Sequence, residues 1–131
     1  MPSVVGMSDI QTFFDRYARA LSEIDLDALA ELYDYPALAV TRQASLAVVD
    51  PDQTRRFFAA NGRRYKDQGV DAVRIVDPRP GYDERGLWVG LAVLENLDAA
   101  GAVVGVEHNA YVLVDRGTGW RIAVTSRLDA V

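Results

Sequence analysis

Residues 102–115 read AVVGVEHNAYVLVD, and the alternation inside this stretch governs the reading of the whole chain. Side chains of a strand point to opposite faces with a period of two. Val104, Val106, Ala110, Val112 and Val114 therefore share one side, and Glu107, Asn109, Tyr111 and Leu113 the other. Neither side has the composition of a face turned to water. Of the residues just named, one set is wholly apolar and the other polar and aromatic, which predicts a sheet covered on both faces, with the mixed side lining something and the plain side under a helix or a second subunit. His108 falls with Val106 and Ala110, so it is expected to point away from whatever Asn109 and Tyr111 line.

Working outward, the period of two continues over residues 70–77, 86–96 and 119–128, with turn signals at Pro78 to Gly81, Asp98 to Gly101 and Gly117 to Gly119. This predicts an antiparallel meander in the second half. Upstream the period is helical. Ser8 and Gln11 have the spacing of a capping box, and Ile10, Phe13, Phe14, Tyr17 and Leu21 recur on one face, which predicts a helix over 8–22 behind a flexible tail over 1–7. Asp25 caps a short second helix carrying Leu26, Leu29, Ala30 and Tyr33, and Pro36 disfavours helical geometry at Tyr35, where the helix should stop. Residues 37–49 suit two short strands, or one strand and a returning segment. Asp50, Pro51 and Gln53 then open a third helix that presents Phe57, Phe58, Asn61 and Tyr65 until Gly69.

The composition bounds what such a chain does. With 131 residues, 50% hydrophobic and 25% charged, it is expected to form a single α+β domain over 1–131. Folding at this size removes about two thirds of the unfolded surface, enough for a core and one internal pocket. The absence of cysteine excludes disulfides, thiol catalysis and cysteine-based metal sites. A lone His108 without a carboxylate cluster makes no familiar zinc site, so neither a metal nor an organic cofactor is expected. The net charge of −5 disfavours a nucleic-acid partner. No apolar run nears the ~18 residues of a membrane span and no basic-then-apolar leader opens the chain, so a cytoplasmic protein without a membrane partner is the expectation.

Three helices followed by a long meander, together with the run Phe14-Asp15-Arg16-Tyr17-Ala18-Arg19-Ala20-Leu21, the segment Asp25-Leu26-Asp27-Ala28-Leu29 and the closing Gly119-Trp120-Arg121-Ile122, resemble the NTF2-like superfamily, which includes ketosteroid isomerases and SnoaL-type polyketide cyclases. The resemblance covers about residues 8–127. It implies a cone: three N-terminal helices packed in a strongly curved, mainly antiparallel sheet around an apolar pocket, with a homodimer through the outer sheet face. In ketosteroid isomerases a helix tyrosine and a protonated aspartic acid donate to the developing enolate oxygen while an aspartate moves the proton. Carried over, the tyrosine falls on Tyr17 and the acid donor on Asn109, whose amide donates but does not titrate. The base falls on Thr41, between Val40 and Arg42, none of which accepts a proton at neutral pH.

Each candidate has a plainer reading. Tyr17 is first a core tyrosine whose hydroxyl finds a neighbour. Asn109 says more, because an amide on an inward face costs free energy unless it is bonded. Glu107 is the substitute base for proton chemistry, or, preferred, a solvated or salt-bridged glutamate near the strand end, with one of the arginines as its partner. Tyr33, Thr41, Phe57, Trp88 and Tyr111 complete the expected lining, the aromatic ones serving as core if no pocket exists. Arg55, Arg56, Arg63, Arg64 and Lys66 on the third helix read as a solvated face. The leading expectation is a protein that binds a small, largely hydrophobic molecule through Tyr17, Asn109 and their neighbours. The alternatives are an isomerase-, cyclase- or dehydratase-like proton-transfer enzyme using Tyr17 and Asn109, with Glu107 or a water as base and no cofactor, and a dimeric interaction module whose cone is filled.

Overall fold

The computed structural model describes the backbone of residues 2–128 and the side chains of residues 9–128. The order of elements is α1 (Pro2–Glu23), α2 (Leu26–Glu31), β1 (Tyr33–Val40), β2 (Ser45–Val48), α3 (Pro51–Asp67), β3 (Ala72–Glu84), β4 (Leu87–Leu97), β5 (Val103–Asp115) and β6 (Trp120–Arg127). The strands form one curved, open sheet in the order β2-β1-β6-β5-β4-β3, antiparallel except for β1 beside β6.

Local chemistry sets the helix boundaries. The Asp25 carboxylate accepts from the Ala28 amide and starts α2, and the Asp50 carboxylate accepts from the Gln53 amide at 2.9 Å and starts α3. Gln53 reaches back to the Val49 amide, and Pro51, which lacks an amide hydrogen, occupies the first turn where none is needed. Two expected boundaries move. The backbone is already helical at Pro2, so Ser8 does not start α1, and Gln11 bonds forward to Asp15 rather than backward to a cap. The second helix ends at Glu31, not at Tyr35: Tyr33 is the first residue of β1, where pairing with β6 competes better than another helical turn before Pro36.

The stretch Pro78 to Gly81, expected as a turn, lies inside β3. β3 is the edge of the sheet, so an imino nitrogen there forfeits no interior ladder bond. Register shifts between Val76 and Arg79 and between Pro80 and Tyr82 bulge this strand and bend it. The reversal falls instead at Arg85 and Gly86, both at positive φ. Residues 37–49 resolve into two strands, β1 and β2, paired from Ala37 opposite Val48 to Val40 opposite Ser45.

The concave face of the sheet holds the core. Ile10, Phe14, Leu29, Trp88, Tyr111, Leu113 and Ile122 are almost completely buried. Phe14 meets Trp88 edge-on with ring centroids 5.6 Å apart and also packs on Tyr111. Each such side chain contributes about 1.5–3 kcal/mol by leaving water. The alternation along β5 is the one expected: Glu107, Asn109, Tyr111 and Leu113 are buried, whereas Val104, Val106 and His108 are exposed on the convex side beside Val89 and Leu91 of β4.

Candidate functional site

A cavity of about 400 Å³ lies between the helices and the concave face. Its volume is in the range of small-molecule sites. Apolar side chains from every layer supply most of the lining, among them Leu21 of α1, Leu29 of α2, Phe58 of α3 and Leu94 of β4. Tyr17, Tyr33, Thr41, Phe57, Glu107 and Asn109, all expected from sequence, line it. Thr41 and Phe57 are exposed, so they belong to its open side. Trp88 and Tyr111 do not line it and are core instead, because the rings of Phe14 and its neighbours on α1 cover them.

Two polar groupings face this apolar space. In the first, the hydroxyls of Tyr17 and Tyr33 stand 2.7 Å apart. Only one of them donates in that contact, which leaves the acceptor's own proton for another partner. Burial, and then the neighbouring Tyr33, hold the Tyr17 hydroxyl well above its ordinary pKa; burial does the same for Tyr33 and Tyr111, so all three remain neutral donors near pH 7. Asn109, 8% exposed, gives its Nδ2 to the Tyr111 hydroxyl at 3.0 Å, and its Oδ1 has no partner. Turning the amide over exchanges which atom is bonded and which is orphaned, so one polar atom of Asn109 goes unmatched either way. Asn109 and Tyr111, two residues apart, share one strand face by sequence, and their side chains lean together in the folded chain to make this contact.

The second grouping centres on Glu107, 5% exposed. Its Oε2 accepts from Tyr65 of α3 and from Asn96 of β4, each at 2.9 Å, and Arg127 of β6 stands 3.4 Å from its Oε1. Register explains the arrangement: Asn96 pairs with Gly105, two residues before Glu107, and Asn109 pairs with Arg127, two residues after it. Gly105 has no side chain to compete for the space into which Asn96 extends. The arginine partner expected for Glu107 is therefore present, accompanied by two uncharged donors that the sequence reading missed. Burial and the Glu107 carboxylate push the Tyr65 hydroxyl up to about 12.

Thr41 takes part in the turn between β1 and β2, where its hydroxyl accepts from the Gln43 and Ala44 amides. Asp34 is ion-paired with Arg116, and the Tyr35 hydroxyl donates to the Ala30 carbonyl oxygen. Among the described residues no three histidine, aspartate or glutamate side chains cluster as metal ligands, and no helix is long and apolar enough to cross a membrane. Tyr65, Asn96 and Arg127 were legible in part, since Asn96 lies on the same alternating face of β4 as Trp88; nothing local in the sequence indicated that it reaches Glu107.

Comparison with known proteins places this geometry. Residues 8–130 match the model of a family described as NTF2-like protein (DUF6841). No curated protein matches the sequence. Among solved structures, an NTF2-like protein with a cystatin-like fold from Novosphingobium aromaticivorans is similar at 16% identity and a TM-score of 0.72, covering 99% of this chain and 86% of that one. Aln2 from a Streptomyces species is similar at 16% identity and TM-score 0.72, over 98% of this chain and 91% of its own. A Mycobacterium tuberculosis protein described as of unknown function gives 16% identity and TM-score 0.70, over 96% and 72%. At these identities the likeness is one of fold.

Proposed function

This chain belongs to the NTF2-like family, and we propose that it binds a small, largely apolar molecule carrying one hydrogen-bonding group. The observation that carries the reading is the unmatched polar atom of Asn109 in a cavity that is otherwise mostly apolar. A buried amide atom without a partner costs free energy in the empty protein, and a ligand toward which the Asn109 side chain turns to complete it recovers that cost. The spare proton of the Tyr17 and Tyr33 pair offers a donor in the same cavity. The apolar lining supplies affinity and the few polar groups orientation.

The geometry favours binding over proton transfer. The position of the ketosteroid isomerase base is Thr41, and its hydroxyl is engaged in a turn. Glu107, the substitute base, already has both oxygens facing donors, so a substrate proton would have to displace Tyr65, Asn96 or Arg127 to reach it.

Two neutral bicyclic probes test this reading, 2-naphthol as a donor and 2-acetonaphthone as an acceptor. Occupancy at a free concentration one hundred times Kd adds about 2.7 kcal/mol to stability, so either probe should raise the Tm by several degrees. An unchanged Tm with both probes up to their solubility limits counts against a ligand cavity and returns the protein to the class of interaction modules.

A further inference from the structure

A second cavity, about 410 Å³, shares a wall with the first: Arg64, Tyr65, Val70, Asn96, Glu107 and Arg127 border both. Three of these wall residues are charged. Glu107 is matched by Arg127. Arg64 is not matched: its Nη2 donates to the Asn61 Oδ1 at 2.7 Å, its guanidinium lies 5.8 Å from the centre of the Tyr65 ring, and no carboxylate pairs with it among the described residues. Arg55, on the same helix, shows the contrast, since Asp27 and Asp52 both bind it.

Arg64, read from sequence as part of a solvated face, is exposed as expected and makes two uncharged contacts at the wall. The wall sums two positive charges against one negative, in a chain whose net charge is −5. Lys66 and Asp71, the other charged residues lining the apolar cavity, offset each other. A ligand bearing one negative charge balances this wall, whereas a doubly charged phosphate would add repulsion from Glu107. The planar guanidinium suits the planar, two-oxygen shape of a carboxylate.

We propose that the ligand is an apolar carboxylic acid, its body in the apolar cavity and its carboxylate taken at the shared wall by Arg64, with Asn61 and the Tyr65 ring holding the guanidinium in place. The assignment rests on the binding function proposed above and adds the chemical class of the ligand. The test is calorimetric titration of the full chain with octanoate and 2-naphthoate, each against its own primary amide, in the wild type and in Arg64→Met, an exposed position whose replacement leaves the core untouched.

The wild type should bind at least one acid about tenfold more tightly than its amide, the advantage of one charge-assisted contact. Arg64→Met should erase that preference, bringing acid and amide to equal affinity. Equal binding of acid and amide in the wild type, or a preference that survives in Arg64→Met, overturns the carboxylate assignment and leaves the cavity reading standing. No binding by any of the four compounds overturns the cavity reading, and this assignment with it.

Discussion

Replacing Asn109 with leucine, together with Tyr111→Phe so that no buried hydroxyl is left unmatched, is expected to stabilise the protein and abolish its response to ligand. An amide with one polar atom buried and unmatched costs about 1–3 kcal/mol, and leucine removes that cost. Against this stands the loss of the Asn109 hydrogen bond to Tyr111, which contributes about 0.5–1.5 kcal/mol. The larger leucine side chain has the adjoining cavity to enter, so overpacking adds little. The balance is about 1 kcal/mol in favour of the variant. Unfolding entropy of about 2.1 cal/mol/K per residue converts this to a Tm increase of about 4 °C for a chain of this length. Calorimetric melts of both proteins, with and without 2-naphthol or 2-acetonaphthone, read the two effects together. A gain in Tm with loss of the ligand-induced shift is the pattern of a residue kept for function at the expense of stability. A Tm that falls by several degrees, or a full ligand shift in the variant, would refute the reasoning by making Asn109 an ordinary structural residue.

Two further outcomes follow from the geometry. Gly90 faces inward opposite Pro80, and a Cβ there would meet the Arg79 carbonyl oxygen and stand 2.7 Å from the Trp88 ring, so Gly90→Ala should cost about 1–3 kcal/mol in urea unfolding; a cost near zero would mean that the bulged edge yields easily. Tyr65 has a folded pKa of about 12 against about 10 when unfolded, so its contribution is fully present below pH 10 and is lost as pH rises toward 12. The stability gap between wild type and Tyr65→Phe should hold steady from pH 7 to 9 and narrow above 10, and a gap independent of pH up to 12 would refute the raised pKa that burial and Glu107 give this hydroxyl.

Elements with strong local signals could be read from the sequence. The caps at Asp25 and Asp50 are each satisfied by a residue three positions away, and the alternation of β5 places Glu107, Asn109 and His108 on their proper faces without knowledge of any partner strand. The misplacements occurred where a local preference met a longer-range competitor. Pro78 to Gly81 has turn chemistry, yet an edge strand accepts it by bulging, and Tyr33 to Tyr35 continue a helical pattern, yet the edge of β6 captures them as a strand. The four-residue grouping at Glu107 was hidden for the same reason, since its members come from α3, β4, β5 and β6.

The order of residues alone thus settles which side chains face inward along β5 and where most helices begin, because those outcomes depend on a period of two or 3.6 and on caps within one turn. Which inward side chains meet one another is a property of the folded chain. Asn96 reaches Glu107 through the offset between β4 and β5, Tyr65 reaches it through the docking of α3, and Arg64 lacks a carboxylate because no acidic side chain is brought within reach of it among the described residues. Each of these depends on contacts between residues far apart in sequence, whose register is fixed by packing of the whole sheet against the helices and leaves no mark on the local pattern.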